Sequence, residues 1–326
     1  MVRKEMLAVL IFLALTDLGE RVEAEALSIY EIQYSTDANG DSPENGNIVD
    51  CKGGIVVHKS SGSRTKLTLY DPNYPDGWGG VMAKDLDGVG AFAAINVGDW
   101  VSFTNVEVED YKGTTFLEYT GGNNSGFNVV SIDNPLPRPL GVGVDEIAAP
   151  VAGVDSWLVS DHRAEKYEGM LIKVIDVTVI DTAYGKAYDN YILESNVNSN
   201  HSCWASDYLN DDRSGIYHPY VAIGERFCGV AGVLEQYAAE KEGIDYDYYQ
   251  LLTTKTEDFT ILQVADFDGD CDVDFYDFGE FALSWLETGC GEPDWCGGAD
   301  LFRDGNAIVD EFDLMEFSTN WLEGKY

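Results

Sequence analysis

Residues 265–277 read ADFDGDCDVDFYD, six aspartates in thirteen positions, five of them on strict alternation. Like charges crowded this closely repel, so a folded chain can hold them only around a cation. The alternative is a solvated, unfolded tail. The residues that follow decide between the two. Phe278, Phe281, Ala282 and Trp285 recur at helical spacing and make one apolar face. A disordered acidic extension has no reason to carry such a face.

The alternation also has a register. In a twelve-residue cation loop, oxygen ligands come from positions 1, 3, 5, 7, 9 and 12, with position 7 contributing its backbone carbonyl. Counting from Asp266 gives Asp266, Asp268, Asp270, Asp272 (through its carbonyl), Asp274 and Asp277. Val273 falls at position 8, where an apolar residue packs inward. Two departures stand out: Cys271 occupies position 6, where the sharp turn favours glycine, and position 12 is Asp instead of Glu. A second copy, ADLFRDGNAIVDEFD, lies at 299–313, and Leu314, Phe317 and Trp321 repeat the helical stripe. Asp277–Trp285 and Asp313–Trp321 share one spacing, which sets a repeat offset of 36. At that offset Asp304, Asn306, Ile308 (carbonyl), Asp310 and Asp313 fill positions 3, 5, 7, 9 and 12, but position 1 is Phe302. Aligned instead on the shared Ala-Asp, Asp300 takes position 1, Asp304 position 5 and Gly305 position 6, with two residues inserted before Asp310. The first loop is complete and the second irregular under either alignment.

Loop, helix and duplication together resemble the C-terminal calcium repeat of type I dockerins, over about 264–326. The resemblance implies calcium as the ion, with one complete site and a second, irregular one. It also implies docking to a cohesin-type protein partner through the helices at 277–287 and 313–323, often within extracellular polysaccharide-degrading assemblies.

The remainder is a different kind of chain. Hydrophobic residues make up 45% of the sequence, enough for sizeable cores, and 34 glycines with 19 tyrosines suit a turn-rich β protein. Strands are expected at 53–58, 65–71, 99–111 and 114–120, then at 168–181, 189–195, 225–238 and 247–254. DNPLPRPLGVG (133–143) reads as a linker or an extended crossing strand. NVGDWVSFTNVEVEDY (96–111) aligns with AIGERFCGVAGVLEQY (222–237) through a Gly-acid turn, a strand and a closing Tyr. VDCKGGIVVHK (49–59) aligns with YEGMLIKVIDV (167–177). The order suits two five-stranded oligonucleotide/oligosaccharide-binding (OB) barrels; an immunoglobulin-type sandwich is the runner-up. YEGMLIKVIDVTV, IGERFCGVAGVLEQY and YYQLLTTKTEDF resemble OB-like repeats that accompany secreted bacterial nucleases, although no nuclease domain is present. The formal net charge of −38 repels polyanions, so nucleic acid is not an expected partner.

At the N-terminus, Arg3 and Lys4 precede a nine-residue apolar run, Leu7–Leu15, too short to span a bilayer, and Ala24-Glu25-Ala26 is an A-x-A cleavage pattern. A signal peptide over 1–26 and a secreted or cell-surface protein follow as expectations, with no transmembrane segment in the mature chain. The six cysteines lie in the exported part, where disulfides are permitted. A Cys203–Cys228 bridge and one bridge among Cys271, Cys290 and Cys296 are expected, with Cys51 unassigned.

No H-E-x-x-H, G-x-S-x-G or P-loop motif occurs. HRAE (162–165), SDH (160–162) and SNHSCW (199–204) read as surface-loop patches. Carboxylates are too abundant for any pair to single out a glycosidase site. YDPNYPDGWGG (70–80) carries Tyr70, Tyr74 and Trp78 among carboxylates. Such a loop either stacks carbohydrate or caps a barrel core. The chain is thus expected to be mainly β: a signal peptide (1–26), OB-like barrels at 27–140 and 141–262, and a calcium module at 263–326. The expected function is non-catalytic binding or accessory work. A hydrolase with an unrecognised site and a cell-envelope structural protein are the competing classes.

Overall fold

The computed structural model describes residues 25–60, 64–147, 158–182, 190–197, 201–206, 221–241 and 243–322. The expected signal peptide lies almost entirely outside them. Strands β1 (Ile48–Lys59), β2 (Lys66–Tyr70), β3 (Gly80–Asp85), β4 (Trp100–Tyr111) and β5 (Thr114–Tyr119) pair in the order β1-β2-β3-β5-β4, and β4 closes the ring on β1. The β3–β5 pair is parallel and all others are antiparallel. A sixth strand, β6 (Gly126–Ser131), pairs with the first half of β4. The same plan recurs in β8 (Leu171–Thr182), β9 (Tyr191–Ser195), β10 (Ser202–Ser206), β11 (Arg226–Lys241) and β12 (Ile244–Leu252). Here β11 closes on β8, β10–β12 is the parallel pair, and β13 (Phe259–Ile261) stands where β6 does. Two closed five-stranded barrels of OB topology result, which rules out the sandwich.

The sequence pattern accounts for this closure. Along β4, Val101 and Phe103 point into the core, then Val106 and Val108. The break from period two falls at Asn105, whose φ of 51° marks a bulge. Ile172, Val174, Val177 and Val179 on β8 break from period two at Asp176, with φ 46°, while the pairing with β11 keeps one register through it and the bulge against β9 falls between Val179 and Asp181. Bulges of this kind bend a strand enough to serve two edges of a barrel. Before β1, a short helix α1 (Ile29–Gln33) is capped reciprocally by Ser28 and Glu31, and it buries Ile29 and Ile32 in the first core.

The internal repeat is real but its register needs correction. The turns before β4 and β11 coincide, with Gly98 and Gly224 at φ 92° and 90°. The first strands correspond five residues later than the sequence alignment has them: Ile55 pairs with Trp100 and Thr178 with Arg226, so Ile55 answers to Thr178 instead of Lys173. The 133–143 segment ends as a two-residue strand β7 (Leu140–Gly141), parallel to β8, and a four-residue helix α2 (Val144–Ile147) follows it.

The expected Cys203–Cys228 bridge is absent. Cys203 lies on β10, Cys228 on β11, and those strands are not neighbours in the sheet. Cys203 and Cys51 are buried free thiols, and the second barrel's core takes in Cys203. Cys228 bonds instead to Cys271 in the tail; Cys290–Cys296 is the bridge within the tail.

The barrels touch directly. Met82 and Phe116 of the first pack against Val233 and Leu252 of the second. Gly80 and Gly169 meet backbone to backbone with no room for a Cβ on either. The Thr114 hydroxyl donates to the Gln236 carbonyl (2.6 Å), and the Ala238 amide donates to the Lys112 carbonyl (2.6 Å).

Candidate metal centre in the C-terminal module

The tail is built from two copies of loop and helix. Helices α3 (Phe275–Leu283) and α4 (Glu311–Thr319) are capped by Asp274 and Asp310, with Asp277 and Asp313 closing reciprocal capping boxes. Both helices end earlier than the expected 287 and 323. Ala265, Val273 and Phe281 meet Ala299, Val309 and Phe317 in one small core. The copies are tied by a reciprocal pair of backbone bonds: Leu286 N–H donates to the Val309 carbonyl (2.9 Å), and Leu322 N–H donates to the Val273 carbonyl (2.9 Å). Leu322 follows Leu286, and Val309 follows Val273, by the same offset of 36. The duplication is therefore an approximate twofold.

Within the first loop Asp266, Asp268, Asp270, Asp274 and Asp277 accept from backbone amides. Asp266 accepts from the amides of Gly269 (2.7 Å) and Cys271 (3.0 Å), Asp268 from Asp270, and Asp270 from Asp272. The buried Asp277 carboxylate accepts from Phe267 (2.7 Å) and Asp274 (2.7 Å), which folds position 12 back over position 1. Oxygens of Asp266, Asp268 and Asp270 converge within 4.8 Å of one another, and so do those of Asp272, Asp274 and Asp277. Burial, opposed by the Cys271 and Gly269 amides and reinforced by the Asp277 charge, holds the Asp266 carboxyl above its ordinary range. Cys271 takes φ 74° at position 6 and its sulfur is spent in the bridge, so the set offers oxygen only. Such a set suits a hard divalent cation.

The second loop combines the two alignments. Asp304 accepts from the Asn306 amide and Asn306 from the Ile308 amide, matching Asp268 and Asp270 at offset 36. Gly305 and Ala307 share the left-handed conformation of Gly269 and Cys271. Asp300 nevertheless stands at position 1: it is buried beside Ala299 as Asp266 is beside Ala265. Two extra residues, Phe302 and Arg303, loop out before Asp304, and the Arg303 guanidinium stacks on Trp295 at 4.7 Å. Its positive charge acts on Asp300, and Asn306 replaces a carboxylate at position 5. The second loop keeps the turn geometry of the first but is weaker in charge, and among the described residues no three of its carboxylates converge within 4.8 Å as those of the first loop do.

Both helices leave apolar side chains outside the small core. Phe275 and Tyr276 on α3 are each 76% exposed, and Leu283 is 81% exposed; Phe312 and Met315 on α4 are exposed as well.

In the body, the aromatic loop splits. Tyr70 packs against the second barrel's core. Tyr74 stacks on Tyr30 (4.6 Å), Tyr30 on Tyr34 (5.1 Å), and Trp78 meets Tyr34 edge-on (5.4 Å). One face of Tyr74 is thus taken by Tyr30 of α1, and Trp78 meets Tyr34, the residue that caps that helix; neither tyrosine is tied to this loop by local spacing. HRAE does not form the expected surface-loop patch, since Ala164 and Glu165 are buried. Glu165 is buried between the barrels and accepts from the Tyr249 hydroxyl (2.7 Å). That hydroxyl lies 3.0 Å from His162 Nδ1, while His162 Nε2 pairs with Asp247 at 3.3 Å. Glu168, also buried, accepts from the Thr115 amide (2.9 Å). Burial is the first cause that drives the Glu165 carboxyl up to about 8, and it also drives Glu168 well above the ordinary carboxylate range.

No family model matches this chain, and no curated protein matches it. Among solved structures, a murine DNA-binding protein bound to double-stranded DNA is similar at 9% identity, over 63% of this chain and 91% of that one, with a TM-score of 0.28. Fission yeast Pot1 with single-stranded DNA is similar at 12% identity, over 65% and 80%, with a TM-score of 0.26. The tetrameric p202 HIN2 domain reaches 20% identity over 33% of this chain, which spans half of that one, at a TM-score of 0.24. The strand order, and not these distant likenesses, establishes the barrel fold. Among the described residues, no helix is long and apolar enough to cross a membrane.

Proposed function

We propose that this is a secreted, non-catalytic binding or accessory protein whose dockerin-like tail holds calcium and docks to a cohesin-type partner. The observation that carries the reading is the approximate twofold of the tail. Two oxygen-only loops each brace a helix, and each helix leaves aromatic and aliphatic side chains uncovered. Calcium is the hard cation that takes six to eight oxygens in a loop of this register. Neutralising five clustered carboxylates is what allows so small a core to hold. The apolar faces then serve as anchors for a protein partner.

The two barrels are the cargo under this reading. Carbohydrate is the candidate ligand, with Trp78 and the free side of Tyr74 as stacking surfaces. A net charge of −38 weighs against a nucleic-acid role for the same barrels. A pull-down with a panel of cohesin domains, run with calcium and with chelator, tests the docking. Capture that depends on calcium and is lost when Phe275 and Phe312 are changed to Ser supports it. Absence of capture by any cohesin, with the tail folded and calcium bound, refutes it.

A further inference from the structure

The tail is attached to the body at the ion loop itself. Cys271, at loop position 6, is bonded to Cys228 on β11, a strand that belongs to the second barrel's wall. Two residues before Cys228, Arg226 donates through Nε to Asp176 of β8 (2.8 Å) and through Nη2 to the Gly269 carbonyl at loop position 4 (2.8 Å). A covalent bond and a cationic strap therefore fix two neighbouring loop residues to two barrel strands. Both residues are left-handed, Gly269 at φ 75° and Cys271 at φ 74°. Gly269 adopts that conformation freely, whereas Cys271 does so against its own preference. The left-handed turn has a direct consequence for ion binding, because it aims the Cys271 amide at Asp266 Oδ2 (3.0 Å) and so orients the first ligand. Ala307 holds the same position in the second loop, and there the Gly289 and Cys290 amides donate to its carbonyl in place of any covalent tie.

We propose that the Cys228–Cys271 bridge sets the ion affinity of the first loop, making Cys271 a positioning residue and the bridge a reduction-sensitive control on that site. This rests on the calcium reading above. With the bridge intact, the barrel wall imposes the turn that glycine supplies in other loops. A dithiol reductant transfers two electrons to the bridge. Its own sulfurs join as a cyclic disulfide, and its two protons end on the sulfurs of Cys228 and Cys271. Cys271 then relaxes to negative φ, its amide leaves Asp266, and position 1 is no longer aligned with positions 3 and 5.

The test is a calorimetric titration of the full chain with calcium chloride in three forms. In Cys228→Ser the higher-affinity binding event is expected to weaken about tenfold, the size of effect that a left-handed non-glycine residue accounts for. The second event is expected to stay within about twofold. In the double variant Cys228→Ser/Cys271→Gly, glycine adopts the turn without a tether, and affinity is expected to return to the wild-type value while becoming indifferent to dithiol. Reductant on the wild-type protein also opens Cys290–Cys296, so the variants separate the two bridges. Unchanged affinity in Cys228→Ser overturns the proposal and leaves the calcium reading standing. So does a glycine variant as weak as the serine one. No calcium binding by any form, wild type included, overturns both.

Discussion

Replacing Glu165 by Gln perturbs an acid that the body holds away from water. Glu165 is held between the barrels by the Tyr249 hydroxyl, against Gly40, where even a Cβ would come within 2.6 Å of its Oε2. Burial raises its carboxyl from the ordinary 4.5 to about 8; the Tyr249 hydrogen bond and His162 oppose the rise, and Asp110 and Asp41 add to it. The folded chain thus keeps a proton that the unfolded chain sheds between those two values. The stabilisation is complete below about pH 4.5 and is lost as pH climbs through about 8. At ~1.4 kcal/mol per unit, the interval sets an upper limit of roughly 5 kcal/mol, reduced in practice by local relaxation. His162, raised first by its hydrogen bond to Asp247, loses its share in the same direction. Gln keeps an acceptor for Tyr249 and cannot ionise. Urea unfolding at pH 5, 7 and 9, followed by aromatic circular dichroism, is expected to show wild-type stability falling across the series. Glu165→Gln is expected to fall by several kcal/mol less and to be the more stable form at pH 9. The general repulsion of an acidic chain is common to both proteins, so the difference isolates Glu165. Parallel profiles refute the buried-proton explanation.

Two further changes probe separate levels of the structure. Gly80→Ala forces a methyl into the backbone of Gly169, and it is expected to loosen the barrels from each other while each keeps its own core; increased amide exchange at Met82, Phe116, Val233 and Leu252 is the readout. Phe281→Ala removes the centre of the tail core, where Phe281 stacks on Phe317 at 5.3 Å, and it is expected to destabilise the tail by about 3–5 kcal/mol without moving the barrel transition, as read by differential scanning calorimetry in calcium.

What the sequence disclosed followed from periodicity and local spacing. The Gly-acid turns at Gly98 and Gly224 placed the fourth strands of both barrels, because a left-handed glycine and an alternating run are both local signals. The turns of the first acidic loop are legible for the same reason, since Asp266, Asp268 and Asp270 each take backbone amides a few residues on. The second loop was legible only in pieces: a two-residue bulge at Phe302 and Arg303 moves Asp300 off the fixed offset while the rest of the loop stays on it. The polar network between the barrels gave no warning, since Gln33, Thr115, His162, Glu165, Glu168 and Tyr249 come together only when both barrels are closed and docked. The Cys228–Cys271 pairing was hidden likewise, since a bridge between a barrel strand and a tail loop depends on where the tail is laid down. Tyr30 and Tyr34 reached the aromatic loop by the same route, carried there by α1.

The most direct test of the proposed function is calcium titration of the full chain, stripped of metal, with bound metal counted by elemental analysis at each step. The expected result is one tight equivalent assigned to the loop at 266–277 and a weaker second at 300–313. Asp277→Ala should abolish the tight equivalent, and a chelator should shift the tail's thermal transition while the barrels stay folded. A chain that binds no calcium at millimolar concentration, with a tail transition that chelator leaves unmoved, contradicts the proposal at its base.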